Sequence, residues 1–193
     1  MHFRFCPVCG AELVVAWLGD QQRQCCDRPR CGHVFWDNPV PVVAAIVEHE
    51  NNIVLARNAA WAPGMFGLIT GFLERDEEPE TAVIREVAEE LSLDGEVEAF
   101  LGHHNFRIKN QIIISYHVRA RGEIRLNEEL VEYLSLPFDQ VRYWPMSTGL
   151  VLKQFLEDRG YHPEERPLPA AMQAQMDRLN APRTPGPGGD GAA

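Results

Sequence analysis

All five cysteines of this 193-residue chain, Cys6, Cys9, Cys25, Cys26 and Cys31, fall within its first 31 residues. A secreted protein stapled by disulfides needs cysteines inside the core it staples. Confinement to one end instead marks residues 1–37 as a separate small unit, too short to bury a core and therefore dependent on a covalent or metal staple. Cys6-Pro7-Val8-Cys9-Gly10 is a knuckle sequence. Two thiolates separated by two residues grip one tetrahedral ion, and the glycine lets the turn close. The second pair is less regular: Cys26 and Cys31 have four residues between them, Cys25 and Cys31 have five, and His33 follows. Sixteen residues separate Cys9 from Cys26, which suits a ribbon. The expected ligands of a structural Zn²⁺ are Cys6, Cys9, Cys26 and Cys31, with Cys25 or His33 as the replacement for one of them.

Charge narrows the class of partner. Lys and Arg number 18 against 28 Asp and Glu, a formal net charge of −10. That balance argues against a protein holding nucleic acid by bulk phosphate neutralisation and suits one that collects divalent cations. Residues 1–37 carry four arginines and four acids, so the unit gives no support to a DNA-gripping ribbon. No run approaches the roughly 18 apolar residues of a membrane span, and Met1 to Gly10 lacks the order of a signal peptide. The expectation is a soluble cytoplasmic protein with no membrane partner; a homodimer is allowed but not required.

From Val40 the pattern changes. Val42 to Val47 is a continuous apolar run, and Asn51-Asn52 makes a turn before Ile53, Val54 and Leu55, which reads as a buried hairpin. Pro79 to Leu91 reads as a helix with Val83, Val87 and Leu91 spaced by four. Ile112 to Val118 and Leu130 to Leu136 are strand-like. Ser147 or Thr148 then caps a helix carrying Val151, Leu152, Phe155 and Leu156 that stops at Gly160. Strands on both sides of a helix suggest a layered α+β domain over residues 38–160. Residues 161–193 read as a Pro/Gly-rich tail in which Met172 and Met176 are expected to continue a short helix and disorder is expected after about residue 180.

The segment Gly71 to Leu93 holds eight acids against two bases. On a helix, Glu86, Glu89 and Glu90 stand at i, i+3 and i+4, and their carboxylates converge on one face opposite the apolar stripe. They repel by a few tenths of a kcal/mol per pair. Glu89 and Glu90 also occupy the last turn, where the helix dipole disfavours anions by about 0.3–1 kcal/mol each. Bound Mg²⁺ or Mn²⁺ reverses both signs, because these hard cations prefer carboxylate oxygens.

The spacing resembles the Nudix box, Gly-x5-Glu-x7-Arg-Glu-aliphatic-x-Glu-Glu-x-Gly-aliphatic, matched by Gly71, Glu77, Arg85, Glu86, Val87, Glu89, Glu90 and Leu93. Ser92 replaces the second glycine, where slight strain and no loss of ligands is expected. The resemblance implies an α/β/α sandwich with a mixed sheet. It implies hydrolysis of a diphosphate attached to a nucleoside, by water attack on phosphorus. Glu86, Glu89, Glu90 and the Gly71 carbonyl would hold Mg²⁺ or Mn²⁺, and Arg85 would pair with Glu77 to orient the loop. Glu89 is the leading base, with Glu128, Glu129 and Glu132 as later-loop alternatives.

A zinc ribbon before such a box is similar to NADH pyrophosphatases and related enzymes. Their Ser-Gln-Pro-Trp-Pro-Phe-Pro-x-Ser array is absent; Gly102 to Gln111 stands there instead. The proline of many ADP-ribose enzymes and the tyrosine of diadenosine polyphosphate hydrolases are missing too. These signatures leave specificity open; the resemblance to relatives implies a small nucleoside diphosphate derivative of the ADP-ribose, NADH or FAD class, with no substrate-binding residue assigned. A nucleotide cap on RNA is disfavoured by the charge without being excluded. Phe106, Arg107 and Lys109 are better explained as an ordinary strand edge than as substrate contacts, and His103-His104 as loop histidines. Trp61, Phe66 and Trp144 are core or pocket aromatics. The alternative from another class is an idle Nudix domain that senses a nucleotide or binds a protein.

Overall fold

The computed structural model describes residues 3–180, and the disorder expected after about residue 180 lies outside the described residues. The chain divides into two compact units between Asn38 and Pro39. The first holds three antiparallel strands in the order β1 (Val14–Leu18), β2 (Gln21–Cys25), β3 (Val34–Phe35). Its only buried residues among those described are Cys6 and Cys26. A unit with two buried thiols and no apolar core cannot be held by the hydrophobic effect alone.

The second unit is built on a six-stranded mixed sheet. Its strands are β4 (Val40–His49), β5 (Asn52–Asn58), β6 (Ile69–Phe72), β7 (Asp94–Phe106), β8 (Gln111–Arg121) and β9 (Leu130–Leu136). They lie in the order β7-β8-β4-β5-β9, with β6 beside the first half of β4. Strands β4 and β8 are parallel, and the remaining pairings are antiparallel. The central β4 is buried on both faces, which explains its unbroken apolar run. Val43, Ala45 and Val47 meet α1 (Pro79–Leu91) through Val83, Val87 and Leu91. Ile46, with Ile53 and Leu55, meets α2 (Thr148–Glu157) through Leu152, Phe155 and Leu156. The α+β layering expected from the sequence is thus present, with a helix on each face.

Several local expectations are corrected. The hairpin turn is Glu50-Asn51 rather than Asn51-Asn52: both residues have positive φ, 51° and 63°, and Asn52 already pairs with His49. This two-residue geometry matches the right-handed twist of the flanking strands. Ser147 precedes α2 without a side-chain cap, because the N–H groups of Gly149 and Leu150 are taken by the carbonyls of Met146 and Ser147. His103 and His104 lie on β7, paired with Ile114 and Ile113, not in a loop. A third helix, α3 (Ala170–Asn180), contains Met172 and Met176.

Helix α1 ends where Ser92 adopts φ 57° and ψ 29°, with its N–H on the Ala88 carbonyl. A serine there bears the left-handed penalty a glycine avoids, about 1 kcal/mol, offset in part by its hydroxyl bond to the Arg125 carbonyl at 3.1 Å. Ser92→Gly should therefore melt at or above the parent temperature. Ser92→Val, branched and without the hydroxyl, should melt several degrees below it in a calorimetric scan.

Candidate functional site

Helix α1 carries no side-chain cap; Pro79 opens it at the position where a missing N–H costs nothing. The loop before it is instead fastened by Arg85. The guanidinium donates from Nε to Glu77 Oε1 at 2.8 Å and from Nη2 to Glu77 Oε2 at 3.0 Å, a bidentate pair. Nη2 also donates to the Phe72 carbonyl at 3.2 Å, and Nη1 to Glu86 at 2.8 Å and Glu89 at 3.1 Å. One cation thus spans the loop, the strand before it and two helix carboxylates. The Arg85 hydrogen bond holds the Glu77 carboxyl below its usual range despite burial, and Glu77 in turn holds Arg85 firmly cationic.

The three glutamates do not share one environment. Glu89 is exposed, Glu86 is largely covered, and Glu90 is 8% exposed. The expectation that all three lie opposite the apolar stripe fails for Glu90. Seven residues make about two helical turns, so Glu90 returns to the azimuth of buried Val83. Burial pushes its carboxyl up to about 8, helped by the charges of Glu86, Glu129 and Glu89. Burial likewise raises Glu86 against the pull of Arg85. Gly71, opposite Val43 on the α1 face of the sheet, makes room for this group. A Cβ built there would lie 1.8 Å from the Glu86 carboxylate carbon, so any larger residue would push that carboxylate aside.

A later loop completes the cluster. Asn127 donates its N–H to the Glu90 carbonyl at 3.3 Å, while its side-chain oxygen accepts from the N–H groups of Glu129 and Leu130 at 3.0 and 3.2 Å. That asparagine turn ties Glu129 to the end of α1, within electrostatic reach of Glu86 and Glu90. Sequence reasoning passed over Asn127; the available signal was an Asn two residues before a glutamate, the usual start of such a turn. Glu132 is bound to the Arg57 guanidinium instead, and Glu128 is exposed.

The other sequence candidates are placed as follows. Phe106 is half-buried against Val42, Ala44 and Ile113. Arg107 donates to the Leu179 carbonyl at 2.6 Å, and Lys109 lies in the turn between β7 and β8. Phe66 and Trp144 pack against the α2 core. A cavity of about 410 Å³ lies between Glu48–Asn51 and Arg119–Gly122. It sits at the far end of β4 from Val43, the partner of Gly71, and is separate from the carboxylates.

In the first unit, the sulfurs of Cys6, Cys9, Cys26 and Cys31 lie within 4.8 Å of one another. Cys6 to Cys31 is 3.7 Å and Cys9 to Cys26 is 3.5 Å. Tetrahedral thiolates about 2.3 Å from zinc would stand roughly 3.8 Å apart, so the group is compatible with structural zinc. Cys25 lies outside the group on β2, and the backbone of His33 accepts from the Cys26 N–H at 2.8 Å. Burial raises the Cys6 thiol, but the N–H groups of Val8 and Cys9 and the thiols of Cys31 and Cys9 outweigh it, lowering it to about 7. For Cys26 the Arg28 N–H pulls down, but burial and the neighbouring thiols push it up to about 12. Four thiols so close cannot all ionise without a cation among them.

Residues 38–158 match the NUDIX domain. A protein named NAD-capped RNA hydrolase NudC from Pseudomonas aeruginosa is 29% identical over 134 residues, covering 68% of this chain and 46% of the relative. A protein of the same name from Chromobacterium violaceum is 36% identical over 130 residues, 67% of this chain and 48% of the relative. The chain thus spans about half the length of the curated relatives it matches. A NUDIX hydrolase structure from Nitrosomonas europaea superposes with a TM-score of 0.68 at 23% identity, over 86% of this chain and all of that one. An ADP-ribose pyrophosphatase from Streptococcus suis gives 0.51 at 24% identity, over 68% of this chain and 100% of that one. At these identities the structures establish the fold.

Two outcomes follow from the titrating groups. Glu90 binds its proton in the folded chain up to about pH 8 but in the unfolded chain only to about 4.5. Apo stability should therefore fall as pH rises from about 4.5 to 8 and level off above, and Glu90→Gln should flatten that fall in melts across the range. Mg²⁺ binding near neutral pH should also release protons, read by calorimetry in buffers of different ionisation heat. In the first unit, metal analysis should find about one Zn²⁺ per chain. Cys26→Ser should lose it while Cys25→Ser retains it; a zinc-free preparation with an ordered first unit would refute the assignment.

Proposed function

Because the chain belongs to the NUDIX domain family, we propose that it is a metal-dependent hydrolase cleaving the diphosphate linkage of a nucleoside diphosphate derivative of the ADP-ribose, NADH or FAD class. The observation that carries this reading is the buried Glu90 carboxyl, within reach of the charges of Glu86, Glu129 and Glu89 and with no cationic partner of its own among the described residues. A solvated acidic face has no reason to bury one of its acids. The names of the relatives, NAD-capped RNA hydrolase and ADP-ribose pyrophosphatase, support a nucleotide substrate. An acidic chain suits the small nucleotide better than a long RNA.

Nudix hydrolases generally use Mg²⁺ or Mn²⁺. Here Glu86, Glu89, Glu90 and the Gly71 carbonyl supply the hard oxygens such an ion prefers. The bound ion would neutralise diphosphate charge and make its water more acidic. Arg85 holds the Glu86 and Glu89 carboxylates in register with the loop. Glu89, the exposed member, is the leading candidate to accept the proton of the attacking water on a side-chain oxygen. Glu129 is the second candidate for that proton, held beside the cluster by Asn127.

In this reading residues 1–37 are a zinc ribbon, 38–160 the Nudix domain and 161–193 a tail. The tail's first part is fastened by the Tyr143 backbone to Glu164 and Arg166. Reduced, metal-binding thiols suit the cytoplasm. No helix among the described residues is long and apolar enough to cross a membrane.

The test combines stability with turnover. Glu90→Gln should raise the apo melting temperature at pH 8, and Glu89→Gln should leave it nearly unchanged. Both should cut Mg²⁺-dependent hydrolysis by orders of magnitude on a panel of ADP-ribose, NADH and FAD, with products identified by mass. NADH should not be preferred by as much as a hundredfold in kcat/KM, since the NADH pyrophosphatase array is absent. Near-normal turnover in both variants would refute the carboxylate site, and no turnover of the parent chain on any member of the panel would favour the nucleotide-sensor reading instead.

A further inference from the structure

Strand β9 changes facing partway along. Ile53, Leu55 and Arg57 of β5 stand opposite Leu136, Leu134 and Glu132 of β9, and Ile53, Leu55 and Leu136 enter the core on the α2 face. Leu130, two residues before Glu132, should face the same way by the alternation of a regular strand. It pairs instead with Asn58 and joins Val54, Ala56, Val83 and Val87 in the core on the α1 face. The register shifts between Arg57 and Asn58, and the extra residue on β9, Val131, is left 48% exposed. A bulge of this kind re-aims the chain beyond it. Here that chain carries Glu129, which lies within electrostatic reach of Glu86 and Glu90.

The bulge is pinned on both sides. On one side the Arg57 guanidinium holds Glu132 through Nε and donates from Nη1 to the Trp61 carbonyl at 3.3 Å. On the other the Ala59 N–H is donated to the Glu129 carbonyl at 2.8 Å. The short stretch between these anchors is closed on itself: Trp61 donates its N–H to the Asn58 carbonyl, and Ala60 to the Asn58 side-chain oxygen, both at 2.9 Å. Arg57 thus ties β9 to the loop that holds the Glu129 backbone. Among the described residues its bonds go to Glu132 and Trp61, and none reaches Glu86, Glu89, Glu90 or Glu129.

We infer that Arg57 is a positioning residue for Glu129: by pinning the bulge between β5 and β9 it keeps the Glu129 carboxylate beside Glu86 and Glu90, where it strengthens the hold on a divalent cation. The inference rests on the reading of that cluster as a cation site. Charge alone predicts the opposite sign. A guanidinium near a cation site repels the cation, so deleting it with Glu129 left in place would tighten binding. Deleting a positioning residue loosens binding, because one carboxylate leaves the site.

The test is a titration of the full chain with Mn²⁺, free ion counted by electron paramagnetic resonance, with no substrate present. Arg57→Ala should weaken Mn²⁺ binding about tenfold, and Glu129→Gln by a similar factor. With Glu129→Gln already in place, Arg57→Ala should cost nothing more, since the group it positions is gone. Arg57→Lys keeps a charge for Glu132 but lacks the fork that also reaches Trp61. It should fall between parent and Arg57→Ala, and it carries the test if Arg57→Ala does not fold. Tighter or unchanged binding in both Arg57 variants overturns the proposal, as does unchanged binding in Glu129→Gln or losses that multiply in the double variant. A parent chain that binds no Mn²⁺ sinks the cation site itself, and this inference with it.

Discussion

Keeping a carboxylic acid out of water at the carbonyl end of a helix is unfavourable through desolvation, through the helix dipole and through like charges nearby. In this chain Glu90 bears all three, and the surrounding structure is arranged around it. Arg85 neutralises its neighbours Glu86 and Glu89 and anchors the loop through Glu77, but no bond from Arg85 reaches Glu90. Gly71 removes the side chain that would displace Glu86. Asn127 fixes a further glutamate beside the end of the helix. Gly71 and Asn127 thus gather carboxylates at one place, the reverse of what stability alone would favour, and Arg85 offsets only part of their charge.

What could be read from the sequence follows from which residues report on themselves. Pro79 to Leu91 was legible to its bounds, since its apolar spacing, opening proline and acid spacing act within one helix. β9 and the buried hairpin were legible because their branched residues favour strands wherever they pack. β7 was not. Its thirteen residues include Gly95, Gly102 and three acids, and what makes them a strand is eleven residues of pairing with β8. His103 and His104 were misplaced for that reason. Glu90 was misassigned to the open face because the pattern of three acids overshadowed its two-turn spacing from Val83. Asn127 and Glu129 act on residues at least 37 positions away in the chain, which no local pattern reveals.

The two units solve the problem of size by different physics. The second has enough chain to enclose β4 between two helices, with Val43, Ala44, Ala45, Ile46 and Val47 fully covered. Among its described residues the first buries only two, both thiols, and leaves its tryptophans, Trp17 and Trp36, outside. Arg23 lies over the Trp36 ring at 4.9 Å and Arg4 over Phe5 at 5.2 Å, contacts that partly shield the exposed rings. Such shielding does not extend to β1, where there is no base.

Crowded acids are the common element of both units, thiols in one and carboxyls in the other, and their difference in softness would direct different metals to them. Thiolates select zinc and other soft or borderline ions, whereas carboxylates and a carbonyl suit magnesium and manganese. In each group one member ionises less readily than its neighbours, Cys26 pushed up to about 12 and Glu90 to about 8. A cation entering either group must therefore displace a proton, and the energy stored as a raised pKa sets how strongly pH governs occupancy. Cys26, pushed up to about 12, would yield its proton only to a metal of high intrinsic affinity, as a permanent structural ion requires. The carboxyl, near 8, lies close to neutral pH, where a weakly held ion can exchange with each substrate.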